Sequence, residues 1–417
     1  MEALAPDAFP LKERIYILKP GELALKGGNR RSFERALRHN LKALLAGSGA
    51  VINRTNGRLL VKCPAEAAPL VEDALAHLTG ISGWARTRVC DKTVEAVMEA
   101  CVDCAGECTH EHAGAGAGTF KLEARRTDKS FPLDSYGIRS LGGERVLAAY
   151  PNLKVQLKKP ELVIEVEIRE RAYVYGLEHK GLRGLPAGTA GRGLLLLSGG
   201  IDSPVAGQLM ICRGMAIDGV YFHAYPYTSD EARQKVLRLA EIIGRYCLGM
   251  RLYTIGFTAV QMRIKERAPL EWTTVLLRMA MMAAAETLAR QRRLQCLITG
   301  ESLSQVASQT IENITCTQSR VSLPVMRPLI GLDKEGITRM AESIGSYETS
   351  ILPFQDCCAL FSPPHPILRG NAAEAGELYE KLELGELIAT ALGEARQDQC
   401  GYPERNPVHV STLPPLK

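Results

Sequence analysis

The sequence lacks the features that would place it in or across a membrane. It has no run of eighteen consecutive apolar residues, which is about the length that a transmembrane helix needs. Its first ten residues carry acidic but no basic side chains, unlike a secretory signal peptide. These absences predict a cytoplasmic protein with no membrane partner. With 417 residues and 46% apolar content, the chain is long enough for two or three domains with buried cores.

A strong excess of one charge is also lacking, since the formal net charge is +5. The first 193 residues carry 29 Lys and Arg against 23 Asp and Glu, and the remainder carries 22 against 23. The positive excess therefore lies in the N-terminal part, where basic clusters could neutralise RNA phosphates, although such clusters are more often solvated faces. The clusters are Lys26 with Arg30 and Arg31, Arg125 and Arg126 with Lys129, and Lys154 with Lys158 and Lys159.

The Walker pattern G-x-x-x-x-G-K-[ST] is absent, so the chain has no loop with the lysine that serves γ-phosphate transfer. Residues 194–204 instead read LLLLSGGIDSP. Four leucines predict a buried strand, two glycines let backbone N–H groups approach an anion, and Ser203 with Pro204 opens a helix. This resembles the SGGxDS loop of PP-loop ATPases, which hold the β,γ-pyrophosphate of ATP and cleave between the α and β phosphates. An ordinary strand–turn–helix is the less favoured alternative.

Twelve cysteines in a cytosolic chain favour metal or sulfur chemistry over a disulfide scaffold, with the remaining thiols buried as small apolar groups. One group has the spacing C-x2-C-x3-C-x-H-x-H, which could supply four zinc ligands and anchor a loop in a predicted insertion at residues 101–118. Its members are Cys101, Cys104, Cys108, His110 and His112.

A second group is the adjacent pair Cys357 and Cys358, which lies between Leu352-Pro353 and a proline-rich segment. A thiol in a turn is accessible to a partner, and the thiolate is the form that attacks or carries sulfur. A chance pair of cysteines is the alternative.

The order of predicted elements divides the chain. Residues 14–18, 51–52 and 59–61 predict strands and residues 31–45 and 66–78 predict helices, an order that suggests a ferredoxin-like α+β unit. A second α+β module follows, with strands at 84–89, 119–125 and 162–169 and a helix at 93–100. The glycine-rich residues 181–193 predict a linker.

From Leu194 onward, apolar strands alternate with helices, which predicts a parallel sheet wrapped by helices with ligands at the carboxyl ends of its strands. The predicted helix 271–290 is almost wholly apolar around Arg278, which should therefore meet a carboxylate or an anionic ligand such as ATP phosphate. Residues 300–310 follow a strand in the same sheet, so that Gly300 could approach the phosphate loop and Gln309 could hydrogen-bond a base or phosphate.

Five segments together resemble one family, the tRNA 4-thiouridine synthetases (ThiI), over nearly the whole chain. The segments are residues 19–27 (KPGELALKG), 126–132 (RTDKSFP), 198–207 (SGGIDSPVAG), 300–310 (GESLSQVASQT) and 356–358 (DCC). The resemblance implies an α/β protein with a ferredoxin-like domain at residues 1–65, an RNA-binding THUMP domain at 66–180, a doubly wound PP-loop domain at 194–375, and a C-terminal helix and tail at 376–417.

The resemblance also implies the function and its residues: ATP-dependent formation of 4-thiouridine at position 8 of tRNA, with Mg²⁺, by a protein that acts as a homodimer. Cys357, with its neighbour Cys358, matches the catalytic cysteine, and Asp202 joins Mg²⁺ at the pyrophosphate. The tRNA contacts are expected at Lys26, Arg30, Arg126 and Lys129. The ATP contacts fall on Leu196, Leu197, Ser198, Gly199, Gly200, Asp202, Ser203, Tyr221, Phe222, Arg278, Gly300 and Gln309. Relatives often have His where this chain has Tyr221.

The sequence departs from longer relatives of that family, which carry a rhodanese domain with the persulfide cysteine. A separate sulfur donor such as a cysteine desulfurase is therefore expected, and Cys400 is the alternative carrier. Two other functions stay open at this point: another PP-loop enzyme that modifies tRNA, and a tRNA-binding protein whose ATP site is not catalytic.

Overall fold

We describe the fold from a computed structural model, which describes residues 12–22, 29–55, 58–111, 118–354 and 363–401. The chain forms two compact units. Unit 1 comprises Met1–Arg30 and Leu45–Arg183, and unit 2 comprises Arg31–Leu44 and Gly184–Lys417. Helix α1 (Arg30–Leu44) thus belongs, except for its first residue, to unit 2. Its buried Asn40 donates from Nδ2 to the carbonyl oxygen of Ala187 over 3.0 Å.

Unit 1 is built on one nine-stranded sheet in the order β2-β3-β1-β4-β8-β7-β5-β6, with β9 paired to β4. Its helices are α2 (Ala68–Ala76), α3 (Val94–Glu111) and α4 (Ser135–Ala149). Its strands are β1 (Glu13–Pro20), β2 (Val51–Thr55), β3 (Arg58–Pro64), β4 (Ile81–Cys90), β5 (Thr119–Arg126), β6 (Lys154–Val155), β7 (Leu162–Ile168), β8 (Ala172–Tyr175) and β9 (His179–Lys180). The long strand β4 pairs with β1 and with β8, so the two predicted N-terminal modules share a sheet.

The largest difference from the sequence analysis is the position of three cysteines, Cys101, Cys104 and Cys108. Helix α3 runs through them to Glu111, and their spacing places all three thiols in the apolar core with Val97 and Phe120. Burial raises the pKa of the Cys101 thiol to about 12. No group of three or more His, Cys, Asp or Glu side chains that could hold a metal ion occurs among the residues described.

Among the described residues the three cysteines form no zinc site, because a helix, and not a loop insertion, carries them into a core that disfavours the thiolate ligands zinc requires. The side chain of His110, and His112 as a whole, lie outside the described residues.

Unit 2 is a doubly wound α/β structure, as predicted. Its six-stranded sheet has the order β14-β13-β10-β11-β12-β15, parallel except for the β12–β15 pair. The strands are β10 (Arg192–Leu196), β11 (Ala216–His223), β12 (Met250–Gly256), β13 (Cys296–Ile298), β14 (Val325–Met326) and β15 (Arg396–Cys400). The helices are α5 (Asp202–Cys212), α6 (Asp230–Gly244), α7 (Thr258–Arg267), α8 (Thr273–Gln291), α9 (Ile311–Gln318), α10 (Lys334–Ser343), α11 (Tyr347–Ser350), α12 (Ala372–Lys381) and α13 (Gly385–Gly393).

The core of unit 2 lies between the sheet and α8. Leu194 of β10 and Val220 of β11 pack there with Leu276, Met279 and other apolar residues of α8. Strand β10 is buried on both faces, because helices cover both sides of a parallel sheet, and this explains its run of leucines. In the described part of the chain, no helix is long and apolar enough to cross a membrane.

The linker region and the C-terminal region each show a feature that was not anticipated. The predicted linker is hydrogen-bonded: Arg183 N–H donates to the carbonyl of Ile81 over 2.8 Å, and Leu185 N–H donates to that of Cys212 over 2.9 Å. The predicted helix and tail contain two helices and then strand β15, which closes the edge of the sheet. Cys400, the alternative sulfur carrier, is only 2% exposed in this strand, and burial raises its pKa to about 12. An accessible thiolate is therefore not available at Cys400.

Candidate functional site

The SGG loop connects β10 to α5 at the carboxyl edge of the parallel sheet. Its turn is held by the two serines that flank it, because the Ser198 N–H donates to Ser203 Oγ over 2.9 Å and the two hydroxyl oxygens lie 3.1 Å apart. No side chain caps α5, whose N-cap residue is Ile201. The loop and the first turn of α5 therefore present backbone N–H groups, which is the arrangement that binds phosphate.

Gly300 brings a second loop against this turn. A β-carbon at Gly300 would lie 2.7 Å from the backbone nitrogen of Ser203 and 2.9 Å from the carbonyl carbon of Asp202. Both neighbours are backbone atoms that cannot move aside, so only glycine fits. Gly300 follows β13, whose parallel pairing with β10 places the two strand ends side by side. The close approach predicted from sequence is present.

A cavity of about 190 Å³ opens where these loops meet. It is lined by eleven of the twelve residues predicted for ATP; Gly199 is the exception. The predicted lining residues are Leu196, Leu197, Ser198, Gly200, Asp202, Ser203, Tyr221, Phe222, Arg278, Gly300 and Gln309. Sequence reasoning missed Met281, Met282, Thr299 and Glu301. Spacing could have identified them, because the two methionines lie one helical turn after Arg278 and the other two flank Gly300.

Arg278 meets a carboxylate, one of the two partners that the sequence predicted for it. Its guanidinium forms an ion pair with Glu301, which is 3% exposed, and its Nη1 lies 3.4 Å from Ser308 Oγ. Arg327 Nε donates to the other oxygen of Glu301 over 2.7 Å. Burial alone would raise the pKa of Glu301, but the charges of Arg278 and Arg327 outweigh burial and lower it. Counted together, Arg278, Arg327 and Lys334 exceed the carboxylates of Glu301 and Asp202 by one positive charge, which suits an anionic ligand.

Asp202, at the start of α5, is held on both carboxylate oxygens. Lys334 Nζ donates to Oδ1 over 2.7 Å, and Gln305 Nε2 donates to Oδ2 over 2.9 Å. These contacts fix the carboxylate at the cavity wall, and each oxygen keeps a further lone pair. Lys334 is a further residue of the site that the sequence analysis did not identify. Asp333 before it caps α10 by accepting from Gly336 N–H over 2.7 Å.

Gln309 is the polar residue best suited to recognise a base in the cavity. Its side chain is 7% exposed, and its Oε1 accepts no hydrogen bond within the described part of the chain. A buried amide oxygen without a donor costs free energy, about 1–3 kcal/mol, unless a ligand supplies one. Phe222, Met281 and Met282 add apolar lining. The combination fits a flat heterocycle that carries an amino group.

The chain that leads towards Cys357 is described up to Phe354 and is tied to this site. Ser350 Oγ donates to the carbonyl oxygen of Gly200 in the SGG loop over 3.4 Å. Lys235 is 5% exposed, and its Nζ donates to the carbonyl oxygen of Leu352 over 2.8 Å. Cys357 and Cys358, both predicted to be catalytic, lie outside the described residues.

The residues predicted to contact tRNA have different roles in the structure. Arg126 Nη1 donates to the carbonyl oxygens of Phe131 and Leu133 over 2.9 and 3.1 Å, which folds the loop between them. Lys129 lies exposed on that loop. Arg30 begins α1, and Lys26 lies outside the described residues. Arg126 thus shapes the loop that presents Lys129.

The parallel sheet, the uncapped SGG loop and the adjoining cavity define a nucleotide-binding α/β protein of the PP-loop class. Three family models match the chain: "Thiamine biosynthesis protein (ThiI)" at residues 188–384, "ThiI ferredoxin-like domain" at 15–85 and "THUMP domain" at 91–176. A probable tRNA sulfurtransferase of Treponema pallidum (strain Nichols) is 49% identical over 384 residues, which are 90% of this chain and 93% of the relative.

A second relative, a probable tRNA sulfurtransferase of Caldanaerobacter subterraneus, is 43% identical over 375 residues, which cover 90% of this chain and 97% of the relative. The crystal structure of a 4-thiouridine synthetase–RNA complex with bound ATP is similar with a TM-score of 0.84 and 32% identity, and the match covers 93% of this chain and 99% of that one. The chain belongs to the tRNA sulfurtransferase (ThiI) family. The predicted fold class, with ferredoxin-like, THUMP and PP-loop parts, is confirmed.

Proposed function

We propose that the protein is an ATP-dependent tRNA sulfurtransferase that forms 4-thiouridine at position 8 of tRNA. The observation that carries this proposal is the cavity in which the SGG loop, Gly300, Arg278 and Gln309 meet. The names of the two relatives and the ATP and RNA in the related crystal structure support the same activity.

The cavity suits cleavage of ATP between its α and β phosphates. The SGG loop and the start of α5 would bind the β,γ-pyrophosphate through backbone N–H groups, and the Oε1 of Gln309 would accept from the adenine amino group. The C4 oxygen of uridine attacks the α phosphorus of ATP. The bond between the α phosphorus and the oxygen that bridges to the β phosphate breaks, and pyrophosphate leaves. The uracil N3 proton is released in this step. Arg278 would stabilise the departing charge, with Glu301 holding its guanidinium in place.

The residues at the cavity also fit Mg²⁺, which usually binds one or two carboxylates, phosphate oxygens and water. Of the two carboxylates that line the cavity, Glu301 is paired with two arginines, whereas both oxygens of Asp202 retain lone pairs beside Lys334 and Gln305. Bound there with ATP, the ion would neutralise charge on the pyrophosphate. Asp202 would hold it, and Lys334 would keep the carboxylate oriented.

Sulfur replaces the activated oxygen in the second step. When hydrosulfide attacks C4, AMP leaves with the former C4 oxygen, and the proton on sulfur moves to N3 to give the thiocarbonyl. When the outer sulfur of a Cys357 persulfide attacks C4, AMP leaves in the same way. The Cys358 thiolate then attacks the Cys357 sulfur, the S–S bond to the uracil sulfur breaks, N3 takes up a proton, and the resulting Cys357–Cys358 disulfide is reduced by an external thiol. The contacts of Ser350 with Gly200 support delivery by Cys357, because they hold the preceding chain against the ATP-binding loop. Cys357 carries the persulfide or is resolved by Cys358, and a separate protein such as a cysteine desulfurase supplies the sulfur.

The tRNA would bind through unit 1, where Lys129 stands on the loop shaped by Arg126, and through Arg30 and Lys26. Phosphate contacts of this kind position an RNA without reading its sequence. We also propose the homodimer that the family resemblance implies, with domains at residues 1–65, 66–180 and 194–375.

The first experiment combines the purified full-length protein with unmodified tRNA, ATP, Mg²⁺ and sulfide, which bypasses the unidentified donor. We expect 4-thiouridine at position 8, detected by its near-ultraviolet absorbance and by nucleoside mass spectrometry. If AMP and pyrophosphate are released but no thiouridine forms, the result supports adenylation and rejects 4-thiouridine as the product. If neither thiouridine nor AMP and pyrophosphate form, the proposal is rejected and an RNA-binding protein is favoured.

The matched variant is Cys357→Ala. With a persulfide-loaded desulfurase as donor, we expect thiolation to be lost while tRNA binding and AMP release remain. Cys400→Ala serves as the control, since Cys400 is buried. Unchanged thiolation by Cys357→Ala would remove this cysteine from the mechanism.

A further inference from the structure

The loop between β11 and α6 exposes two tyrosines from an otherwise fixed backbone. Tyr225 is 65% exposed and Tyr227 is 51% exposed. Thr228, which is 2% exposed, closes the loop: its N–H donates to the carbonyl oxygen of Ala224 over 2.9 Å, and its Oγ1 accepts from the Ala224 N–H over 3.0 Å. Thr258 Oγ1 donates to the carbonyl oxygen of Tyr225 over 2.7 Å. The backbone that presents the two rings is therefore held in one conformation.

An aromatic series connects the ring of Tyr225 with the nucleotide cavity. Tyr221 lines the cavity, and its ring centroid lies 5.8 Å from that of His223. The His223 ring lies 6.4 Å from the Tyr225 ring. Tyr221 and His223 are 2% and 7% exposed, so the series runs from a buried wall of the cavity to a solvated ring. Since the spacing is two residues, the rings of the strand lie on one face.

We propose that Tyr225 and Tyr227 form the stacking site for the uracil base that is thiolated. This inference rests on the proposed function. A base that reacts with ATP must leave its stack in the RNA, and proteins receive such bases between aromatic side chains. Tyr225, which the aromatic series joins to the cavity wall, and the exposed Tyr227 on the same loop provide such a surface, and stacking on them would leave the C4 edge of the base free to react.

The charges at this loop favour a base over the RNA backbone or a protein surface. The first turn of α6 carries Asp230 and Glu231, which would repel phosphates, so the rings are suited to the uncharged face of a base. A stable protein partner would need about 1,000 Å² of buried surface, whereas two rings match a single base.

The first test is photocrosslinking of full-length protein to tRNA that already contains 4-thiouridine at position 8, because near-ultraviolet light activates the thiocarbonyl at its contact point. We expect crosslinked peptides that contain Tyr225 or Tyr227. Crosslinks located only at other segments would overturn the inference. This readout needs neither ATP nor turnover, so it does not depend on the sulfur donor.

The second test compares Tyr225→Ala and Tyr227→Ala with the corresponding Phe variants in the sulfide assay. Loss of a stacking ring should lower kcat/KM for tRNA by about 5- to 150-fold, while the Phe variants stay within about twofold of the parent. ATP affinity and overall tRNA affinity should change little, since phosphate contacts supply most of the latter. Leu270→Ala, which removes another exposed apolar side chain of unit 2, is the control.

The two proposals fail in different ways. Absence of thiouridine with the parent protein would reject the proposed function itself. Full activity of both alanine variants alongside an active parent would overturn only the stacking site. Activity that is normal with sulfide but lost with a persulfide-loaded desulfurase would also overturn it, and would assign the tyrosines to the protein donor.

Discussion

Two buried glutamates in this protein have nearly the same surroundings, and one of them, Glu301, lines the nucleotide cavity. Glu301 in unit 2 is held by Arg278 and Arg327 and accepts from Thr299 Oγ1 over 2.9 Å. Glu167 in unit 1 accepts from Arg169 Nε over 2.8 Å and from both Arg58 and Tyr175.

Both glutamates are at most 3% exposed, and the pKa of each is lowered. For Glu167, burial would raise the pKa, and the hydrogen bond from Arg169 and the charge of Arg58 lower it. A buried carboxylate between arginines is therefore not in itself a sign of a functional site. What distinguishes Glu301 is its position at the carboxyl edge of a parallel sheet, next to Gly300 and the SGG loop.

The largest expected effect tests that position directly. Gly300→Ala should lower thiolation by at least about 100-fold, because its β-carbon would push the loop away from Ser203 and misplace the phosphate-binding groups. ATP binding, measured by calorimetry, should weaken in parallel. Gly331→Ala is the matched control, since a β-carbon there meets no atom within 4 Å. Normal activity of Gly300→Ala would show that the close approach is not needed.

The next effect separates the two glutamates. Glu301→Gln and Glu167→Gln should each lower the free energy of unfolding by about 3 kcal/mol, because each leaves two partly buried arginines short of a partner charge. Measured per folded molecule, only Glu301→Gln should reduce kcat, by about 10- to 100-fold, since Arg278 then loses its fixed position. If both variants lost kcat equally, Glu301 and Glu167 would both act through protein stability, and Glu301 would have no separate role in the reaction.

A smaller effect concerns the buried thiols of unit 1. Replacing Cys101, Cys104 or Cys108 by Ala should cost about 1–2 kcal/mol of unfolding free energy through lost packing, with unchanged thiolation per folded molecule. In the native parent, Cys104 should resist alkylation, because the hydrogen bond with Cys108 and burial raise its pKa well above the usual value. Stoichiometric zinc in the purified protein, lost in these variants, would contradict the packing role.

The smallest effect is a pH dependence shared by both glutamates. Because their folded pKa values are lowered, their contribution to stability is complete above the unfolded pKa of about 4.3 and is lost as the pH falls through the folded values. Urea unfolding should therefore show a constant difference between parent and each Gln variant above about pH 6, and a smaller one near pH 3. A difference that grows on acidification would contradict the assigned direction.

The nucleotide site was largely predictable from sequence because its parts are local. The run of leucines, the two glycines and Pro204 determine a strand, a turn and a helix within eleven residues, and parallel pairing then brings Gly300 alongside. Helix α8 was predicted at residues 271–290 and observed at Thr273–Gln291. Lys334 was not predictable, because its contact with Asp202 joins residues 132 positions apart.

The cysteine cluster shows how one motif spacing fits two different structures. In a helix, residues three, four and seven positions apart share a face, so C-x2-C-x3-C is also the spacing of an apolar stripe. The sequence analysis ended this helix at residue 100, because the glycine- and alanine-rich residues that follow weaken the helical pattern. The helix packs against α4 and β8 and runs to Glu111. Tertiary contacts thus overrode the local signal.

Helix α1 has a consequence for how the chain is made. It lies near the N-terminus, yet it belongs to unit 2, and the hydrogen bond from Asn40 to Ala187 spans 147 positions. At about 5–20 residues per second, a ribosome needs roughly 7–30 seconds to supply that partner after Asn40 has been added. During this interval the side-chain amide of Asn40 lacks its native acceptor. A shortened protein that begins after residue 45 would for the same reason lose a helix of the catalytic unit.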